Sequence, residues 1–355
     1  TYLGKGKIQE LKEMVWESGA TGVVCDDELS PAQLKNLEDA LDTKVMDRTM
    51  IILDIFAARA KTREGKIQVE LAQLRYRAVR LVGLRNSLSR LGGGIGTRGP
   101  GETKLEVDRR RIHERISQLK SELQDVERHR DVVRKQREQS GTLTAAIVGY
   151  TNAGKSTLLN KLTGAGILAE DKLFATLDPT TRALTLPGGE KVLLTDTVGF
   201  IRKLPHHLVE AFKSTLEEAA FADVIVKVAD AGDAQAAEQL AVTDDVLGSL
   251  DCADIPQLVV YNKCDTANTV AFDPDILLTS AKTGYGLPAL LAKLDEVLNH
   301  RVRTIEIVLP YDKLALADIL RSRGSVAAEE YREDGVYYRG TVKIDDLHRF
   351  EEFLV

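Results

Sequence analysis

Residues 149–156, with the sequence GYTNAGKS, have the side chains and the spacing to hold a chain of phosphates. They fit the pattern G-x-x-x-x-G-K-[ST], in which successive backbone N–H groups form a concave anion site at the start of a helix. Gly149 and Gly154 permit backbone torsions and close approaches that a Cβ would block. Lys155 supplies a positive charge for the β- and γ-phosphates, and Ser156 offers a hydroxyl to Mg²⁺. The pattern therefore predicts a site for a nucleoside triphosphate.

This phosphate loop needs a strand before it and a helix after it. Residues 143–148 are a short apolar run that predicts a buried strand, and residues 156–162 begin a helical pattern. Because both neighbours are present, a functional loop is favoured over a chance match in a flexible segment.

Two later segments could complete the surroundings of the phosphates and the metal. Residues 196–199 read DTVG after an apolar run, and we expect Asp196 to orient Mg²⁺ through water. The backbone N–H of Gly199 is then placed to contact the γ-phosphate.

A threonine in residues 174–182, which read FATLDPTTR, should complete the metal shell when the triphosphate is bound. We choose Thr176 for this role, ahead of Thr180 and Thr181.

Two further motifs predict the choice of base. Residues 262–265 read NKCD, and residues 280–282 read SAK. The carboxylate of Asp265 can accept hydrogen bonds from guanine N1–H and N2–H₂, whereas adenine presents no such pair of donors. We expect Asn262 to brace the loops, Lys263 to lie along the purine face, and a backbone amide of residues 280–282 to meet guanine O6. The nucleotide is therefore predicted to be GTP or GDP.

The complete site prediction covers the phosphates, the metal and the base. The catalytic residues are predicted to be Lys155, Thr176 and Gly199. The magnesium ligands are predicted to be Ser156 and Thr176, with Asp196 acting through water. The nucleotide-binding residues are predicted to be Gly149, Tyr150, Thr151, Asn152, Ala153, Gly154, Lys155, Ser156, Thr157, Phe174, Ala175, Thr176, Leu177, Asp178, Asp196, Thr197, Val198, Gly199, Asn262, Lys263, Cys264, Asp265, Ser280, Ala281 and Lys282.

A basic region precedes the phosphate loop. Between residues 59 and 98 there are ten Lys or Arg residues and two acidic residues, although the whole chain has a net charge of −6. Apolar residues recur at helical spacing over residues 67–88 and again over residues 105–133, which predicts two long amphipathic helices. Residues 92–101 between them read GGGIGTRGPG. A short connection between two matched helices predicts an antiparallel hairpin with this glycine-rich loop at its tip.

The tip of this hairpin has three interpretations. We favour contact with RNA, because glycines let backbone amides approach phosphate or sugar closely, and Arg90 and Arg98 can pair with phosphates or stack on bases. A flexible linker is one alternative, and an isolated coiled coil that has no partner is the other. A second phosphate site is not favoured, since no strand precedes the glycines and no Gly-Lys-Ser/Thr follows them.

Composition argues against the membrane-spanning and disulfide-rich classes of protein. No apolar stretch approaches the roughly 20 residues that a membrane helix needs. The three cysteines, Cys25, Cys252 and Cys264, have neither the spacing of a disulfide framework nor that of a zinc site, which favours a reducing, cytoplasmic setting. We expect no membrane span, no DNA partner and a monomer. Because the chain starts at Thr1 without a methionine, we also expect that residues precede it.

The order of the predicted elements gives an α/β fold in four regions. Residues 1–60 are predicted to form an N-terminal α/β region, and residues 61–140 the helical hairpin. Residues 141–301 are predicted to form a P-loop domain with a mostly parallel sheet and helices on both faces. Residues 302–355 are predicted to form a small C-terminal α+β module.

Within this C-terminal module we predict a helix over residues 312–323, a strand hairpin over residues 326–342 and a final helix over residues 345–353. Its aromatic residues could stack on RNA, but core positions are favoured because strand aromatics are more often buried. These aromatic residues are Tyr331, Tyr337 and Tyr338.

The motifs GYTNAGKS, FATLDPTTR, DTVGF, NKCD and SAK together resemble those of translation-factor-class P-loop GTPases. Residues 92–112, GGGIGTRGPGETKLEVDRRRI, closely resemble the HflX family, and the resemblance covers nearly the whole chain. It implies a cytosolic GTPase that binds the large ribosomal subunit and its rRNA and separates stalled or idle ribosomes into subunits. It also implies that the hairpin approaches RNA near the peptidyl-transferase centre.

One position bears on the rate of hydrolysis. Many GTPases place Gln directly after D-x-x-G, where it orients the attacking water, but here this residue is Phe200. A phenyl ring can neither donate nor accept that hydrogen bond, so we expect slow intrinsic hydrolysis that the ribosome accelerates. The alternative function is a nucleotide-gated protein-interaction switch that uses the hairpin as a coiled coil.

Overall fold

The computed structural model describes residues 2–91, 104–139, 142–164, 174, 176–202, 218–267, 275–299 and 302–355. The described residues divide into two compact units, and the division falls between Val126 and Glu127, inside a long helix. The first unit contains the N-terminal region and most of the helical hairpin. The second contains the nucleotide-binding motifs and the C-terminal module. The four domain boundaries given above stay a prediction.

The first unit begins with two short parallel strands and three helices. The strands are β1 (Gly22–Cys25) and β2 (Lys44–Asp47), and the helices are α1 (Lys5–Ser18), α2 (Pro31–Leu41) and α3 (Arg48–Arg59). Ser30 starts α2 through a capping box with Gln33, and Pro31 occupies the first turn. Local sequence therefore determines where this helix begins.

Asp47 connects these elements to the hairpin that follows. Its carboxylate is fully buried, caps α3 by accepting the N–H of Met50 at 2.9 Å, and accepts the N–H of Leu29 at 3.2 Å. Tyr76 and Arg80 also donate to it, at 2.5 and 2.6 Å. A buried carboxylate needs such partners, because removing it from water is costly unless it is paired and hydrogen-bonded.

The hairpin consists of α4 (Arg63–Leu91) and α5 (Lys104–Gln139). Two ion pairs establish its direction: Arg63 lies 3.7 Å from Glu122, and Glu70 lies 2.8 Å from Arg115. Partners later on α4 are earlier on α5, so the helices are antiparallel as predicted. The apolar residues between them are Ile67, Leu71, Leu74, Ala78, Ile112, Ile116, Leu119 and Leu123. The predicted tip at residues 92–101 lies outside the described residues.

The second unit is built on a six-stranded sheet. Its strands are β3 (Leu143–Gly149), β4 (Thr180–Thr185), β5 (Lys191–Asp196), β6 (Val224–Asp230), β7 (Gln257–Asn262) and β8 (Ile276–Leu278). The strand order is β4-β5-β3-β6-β7-β8, and all neighbours are parallel except β4, which runs antiparallel to β5. The carboxyl ends of β3, β5, β6, β7 and β8 therefore meet at one edge, where open α/β sheets bind ligands.

Helices cover both faces of this sheet. They are α6 (Lys155–Thr163), α7 (Ala236–Gly248) and α8 (Leu287–Asn299). Apolar residues of α6 and α8 pack on one face, against side chains such as Ile147 and Val226, whereas Leu247 of α7 packs on the other, against Ala146 and Ile225. Strands buried on both faces read as continuous apolar runs, which explains the runs seen in the sequence.

The C-terminal module is a three-stranded antiparallel sheet with helices on one side. The strands are β9 (Val302–Leu309), β10 (Ser325–Arg332) and β11 (Gly335–Lys343), in the order β10-β11-β9, and the helices are α9 (Ala315–Arg323) and α10 (Ile344–Leu347). Tyr338 belongs to its core, whereas Tyr331 is exposed. The predicted α+β module is therefore confirmed.

Local structure differs from the prediction at three places. Residues 180–185, for which no strand was predicted, form the edge strand β4. The helix predicted over 312–323 divides into a 3₁₀ turn at Tyr311–Lys313 and α9. The final helix predicted over 345–353 is wrong: after α10, the N–H of Phe350 bonds the carbonyl of Leu347, three residues back. This tighter turn buries Phe350 in the module's core.

Among the helices that the structure describes, none combines the length and the apolar character needed to cross a bilayer.

Candidate functional site

A cavity of about 510 Å³ opens at the edge of the sheet where the parallel strands end. It lies within the second unit and is bordered by the phosphate loop, by Phe174 and Thr176, by Thr197 and Gly199, and by the loops after β7 and β8. The lining residues are Thr151, Asn152, Gly154, Lys155, Ser156, Thr157, Phe174, Thr176, Thr197, Gly199, Asp230, Asn262, Lys263, Asp265, Thr266, Ala281 and Lys282. Such a volume is typical of a small-molecule or cofactor site.

Most of the predicted nucleotide-binding residues line this cavity or lie directly behind it. Asp230 and Thr266 also line it and were not predicted. Asp230 ends an apolar strand run, which is a signal that the sequence contains. Ala175, Arg98 and the side chain of Arg90 lie outside the described residues. The predicted residues that are described but do not line the cavity are Gly149, Tyr150, Ala153, Leu177, Asp178, Asp196, Val198, Cys264 and Ser280.

Two glycines of the phosphate loop occupy positions where no other residue fits. Gly149 has a φ of +148°, and a Cβ there would lie 2.1 Å from the carbonyl oxygen of Val228. Gly154 has a φ of +91°, and a Cβ there would lie 2.3 Å from Nδ2 of Asn262. Each glycine therefore permits both an unusual torsion and a close approach of another strand or loop.

Lys155 is buried beneath the loop. Its Nζ donates to the carbonyl oxygens of Gly149 at 3.1 Å and Tyr150 at 3.0 Å. Burial lowers the pKa of Lys155 to about 8, against the opposing effect of the Asp196 carboxylate. Its ammonium group is therefore a buried positive charge that is suited to bind an anion.

Three side chains with oxygen atoms lie together at the end of the cavity where Mg²⁺ is predicted to bind, which we call the metal corner. Oγ of Ser156 donates to Oδ2 of Asp196 at 2.6 Å and lies 2.7 Å from Oγ1 of Thr176. Burial raises the pKa of Asp196, while the charge of Lys155 and the hydrogen bond from Ser156 lower it. Within the described part of the chain, Oδ1 of Asp196 is buried without a hydrogen-bond partner. Hydroxyl and carboxylate oxygens are the ligands that Mg²⁺ prefers, so these residues fit that ion.

The DTVG segment runs beside the phosphate loop as a short extension of the sheet. The N–H of Phe200 donates to the carbonyl of Gly149 at 3.0 Å, and the N–H of Thr151 donates to the carbonyl of Phe200 at 2.8 Å. A Cβ on Gly199 would lie 2.7 Å from Cα of Thr151, so only glycine allows this approach. The ring of Phe200 is buried in the core with Val148 and does not line the cavity.

The loops after β7 and β8 form the opposite end of the cavity. Oγ of Ser280 donates to Oδ1 of Asp265 at 2.6 Å, and this bond is the main reason that the pKa of Asp265 is lowered. Nζ of Lys263 lies 2.9 Å from Oδ2 of Asp230. A carboxylate held ionised beside the cavity is suited to accept N–H donors from a base.

Three family profiles match the chain in succession. The profile described as "GTP-binding GTPase N-terminal" matches residues 1–57, and "GTP-binding GTPase Middle Region" matches residues 59–137. The profile described as "50S ribosome-binding GTPase" matches residues 144–263.

Curated relatives match along nearly the whole chain. GTPase HflX of Lacrimispora saccharolytica is 62% identical over 347 residues, which cover 96% of this chain and 82% of the relative. GTPase HflX of Escherichia coli (strain K12) is 45% identical over 344 residues, which cover 94% of this chain and 80% of the relative.

Among solved structures, a GTP-binding protein from the archaeon Sulfolobus solfataricus, in complex with GDP, aligns with a TM-score of 0.46 and 25% identity. The alignment covers 84% of this chain and 86% of the archaeal chain.

The buried ammonium group of Lys155 makes phosphate binding sensitive to pH. A bound phosphate favours the protonated form, and the free protein loses that proton as the pH rises through about 8. GDP affinity should therefore be constant below this pH and fall above it by up to about tenfold per pH unit. Calorimetric titration of GDP from about pH 7 to about pH 9 measures this, because an ordinary lysine, with a pKa of about 10.4, would give a nearly flat profile.

The control is Lys155→Met, which lacks the titrating group and should bind weakly with little change over the same range. A wild-type profile no steeper than that of Lys155→Met would show that Lys155 does not control the pH dependence.

Proposed function

Because the chain belongs to the HflX family of GTPases, we propose that it uses GTP to act on ribosomes in the cytosol. It binds the large ribosomal subunit and separates stalled or idle ribosomes into subunits. One observation carries this proposal: the "50S ribosome-binding GTPase" profile matches residues 144–263, directly after the basic helical hairpin. The nucleotide cavity gives the protein the means to respond to GTP.

The phosphate end of the cavity supports hydrolysis of GTP to GDP and phosphate. Lys155 neutralises the β- and γ-phosphates, and the N–H of Gly199 contacts the γ-phosphate. Ser156 and Thr176 would hold Mg²⁺ directly and Asp196 would hold it through water, since Oδ1 of Asp196 has no hydrogen-bond partner among the described residues. The ion, when bound, neutralises charge that develops on the phosphate oxygens.

Intrinsic hydrolysis is slow because the side chain at the expected glutamine position cannot orient the attacking water. The residue at the expected glutamine position, Phe200, is 2% exposed and packs into the core with Val148 and Ile225. The large subunit accelerates hydrolysis by ordering the segments around the γ-phosphate or by supplying a group in trans.

The base end of the cavity supports the choice of guanine. Asp265 accepts from guanine N1–H and N2–H₂, and the bond from Ser280 holds the carboxylate in place. The stem of Lys263 covers one purine face, with its ammonium fixed by Asp230. A backbone amide of residues 280–282 meets guanine O6.

Replacing Asp265 with Asn should weaken GDP binding by about 1–3 kcal/mol, roughly ten- to 100-fold, because the amide presents N–H groups to the N–H donors of guanine. The same amide can pair with xanthine, which has a carbonyl at position 2, so the variant should prefer xanthosine diphosphate. Competition between the two diphosphates against a fluorescent nucleotide measures this. Unchanged preference for guanine over both xanthine and adenine would contradict the assignment of Asp265.

The helical hairpin is the RNA-contacting element of this proposal. Its charge, ten basic residues against two acidic ones over residues 59–98, favours a polyanion, and Arg90 and Arg98 are the proposed contacts. The second candidate function is a nucleotide-gated switch in which the hairpin, whose two helices pack as a coiled coil along their own apolar seam, binds a protein. RNA binding should weaken steeply with salt, whereas an apolar partnership should not.

Sedimentation of intact ribosomes with this protein tests the proposal. With a non-hydrolysable GTP analogue, the ribosome peak should convert to separate subunits, and isolated large subunits should raise single-turnover GTP hydrolysis by at least about tenfold. Arg90→Gln/Arg98→Gln should lose both effects, because two phosphate contacts are removed.

The matched control is Lys5→Gln/Lys12→Gln, which removes two exposed positive charges from α1, outside the basic region, and should behave like wild type. Intact ribosomes with the analogue bound, together with equal hydrolysis with and without large subunits, would contradict the proposed function.

A further inference from the structure

Thr151, in the phosphate loop, contacts both of the segments that border the γ-phosphate end of the cavity. Its backbone N–H donates to the carbonyl of Phe200 at 2.8 Å. Its side-chain Oγ1 accepts the backbone N–H of Phe174 at 2.9 Å. The first bond needs only a backbone, but the second needs a hydroxyl at this position.

The hydrogen bond between Thr151 and Phe174 is shielded from solvent. Thr151 is 7% exposed and Phe174 is 3% exposed, so water cannot easily replace the hydroxyl as an acceptor. Phe174 also has a φ of +53°, a left-handed conformation that is unfavourable for a residue with a side chain. Such a conformation persists when its surroundings hold it, and the Thr151 hydroxyl is one group that does so.

A second bond fastens the same segment to the phosphate loop nearby. Oγ1 of Thr176 lies 2.7 Å from Oγ of Ser156. Both of these hydroxyls are proposed metal ligands, so this bond must be exchanged for metal contacts when Mg²⁺ binds. The bond between Thr151 and Phe174 uses neither of these hydroxyls, so it does not have to break when they bind Mg²⁺.

We propose that Thr151 is a positioning residue whose hydroxyl holds Phe174 at the cavity and thereby delays the departure of the nucleotide. Phe174 lines the cavity itself, so its release would open one wall. This inference rests on the nucleotide site proposed above.

Stopped-flow release of a fluorescent GDP from the full chain tests this role. Thr151→Val keeps the shape of the side chain but removes the acceptor, and release should become about tenfold faster, which corresponds to about 1.4 kcal/mol. The increase should be the same with Mg²⁺ and with a chelator, because the bond does not involve the metal ligands. Thr151→Ser retains the hydroxyl and should stay within about twofold of wild type.

Two further variants make the test specific. Thr151→Ala also lacks the hydroxyl and should release GDP as fast as Thr151→Val, so it carries the test if the valine variant does not fold. Thr243→Val removes a fully buried hydroxyl whose bond, to the carbonyl of Gln239 at 2.9 Å, lies within α7, and should release GDP like wild type. Amide hydrogen exchange at Phe174 should rise in the valine and alanine variants alone.

Wild-type release from both Thr151→Val and Thr151→Ala would overturn the inference, as would release from Thr151→Ser that is as fast as from Thr151→Val. Either result, in a protein that still prefers guanine nucleotides, would leave the proposed nucleotide site intact. A wild-type protein that shows no preference for guanine nucleotides would instead refute the proposed site and, with it, the role of Thr151.

Discussion

The buried amide of Asn262 holds together the two ends of the nucleotide cavity. Its Nδ2 donates to the carbonyl of Ala153 in the phosphate loop at 3.0 Å, and its Oδ1 accepts the N–H of Ala281 at 3.0 Å. Asn262 is 1% exposed, so breaking these bonds would leave buried polar groups unpaired, at about 1–3 kcal/mol each. Gly154 is the counterpart of this contact, since any side chain there would collide with Nδ2 of Asn262. The distance between the phosphate end and the base end is therefore fixed by one side chain and one glycine.

The γ-phosphate end of the cavity is held together by different contacts from those of Asn262. There, the segment that carries Phe174 and Thr176 is connected to the phosphate loop through hydroxyls, of Thr151 and of Ser156. One of these bonds competes with the metal for its oxygens, and the other does not. Asn262 holds the base loops in one position, whereas hydroxyl groups hold the segment that carries Phe174 and Thr176. In the proposed function, a single site therefore binds both GTP and GDP while this segment changes its contacts, and that change is the signal to which the ribosome responds.

Much of this arrangement could be predicted from the sequence, because the chemistry demands particular residue types at fixed spacings. Gly154, Lys155 and Asp265 are examples, and the structure places all three at the cavity. The apolar run that ends at Asp230 marks the end of a strand, but the lining role of Asp230 also depends on tertiary structure: β6 lies beside β7, which brings Asp230 to Lys263. Strand β4 was missed because its sequence, TTRALT, buries only Leu184 and shows no clear alternation. The contact of Thr151 with Phe174 joins segments 23 residues apart, and no local pattern encodes it.

The central claim is that the Asn262 amide keeps the phosphate and base ends of the cavity in register. Calorimetric measurement of GDP and ADP binding to Asn262→Ala tests it most directly. The account predicts that GDP affinity falls by at least about tenfold and that the preference for GDP over ADP shrinks, because the base loops lose their connection to the phosphate loop. Wild-type affinity and selectivity in a folded Asn262→Ala variant would contradict the account.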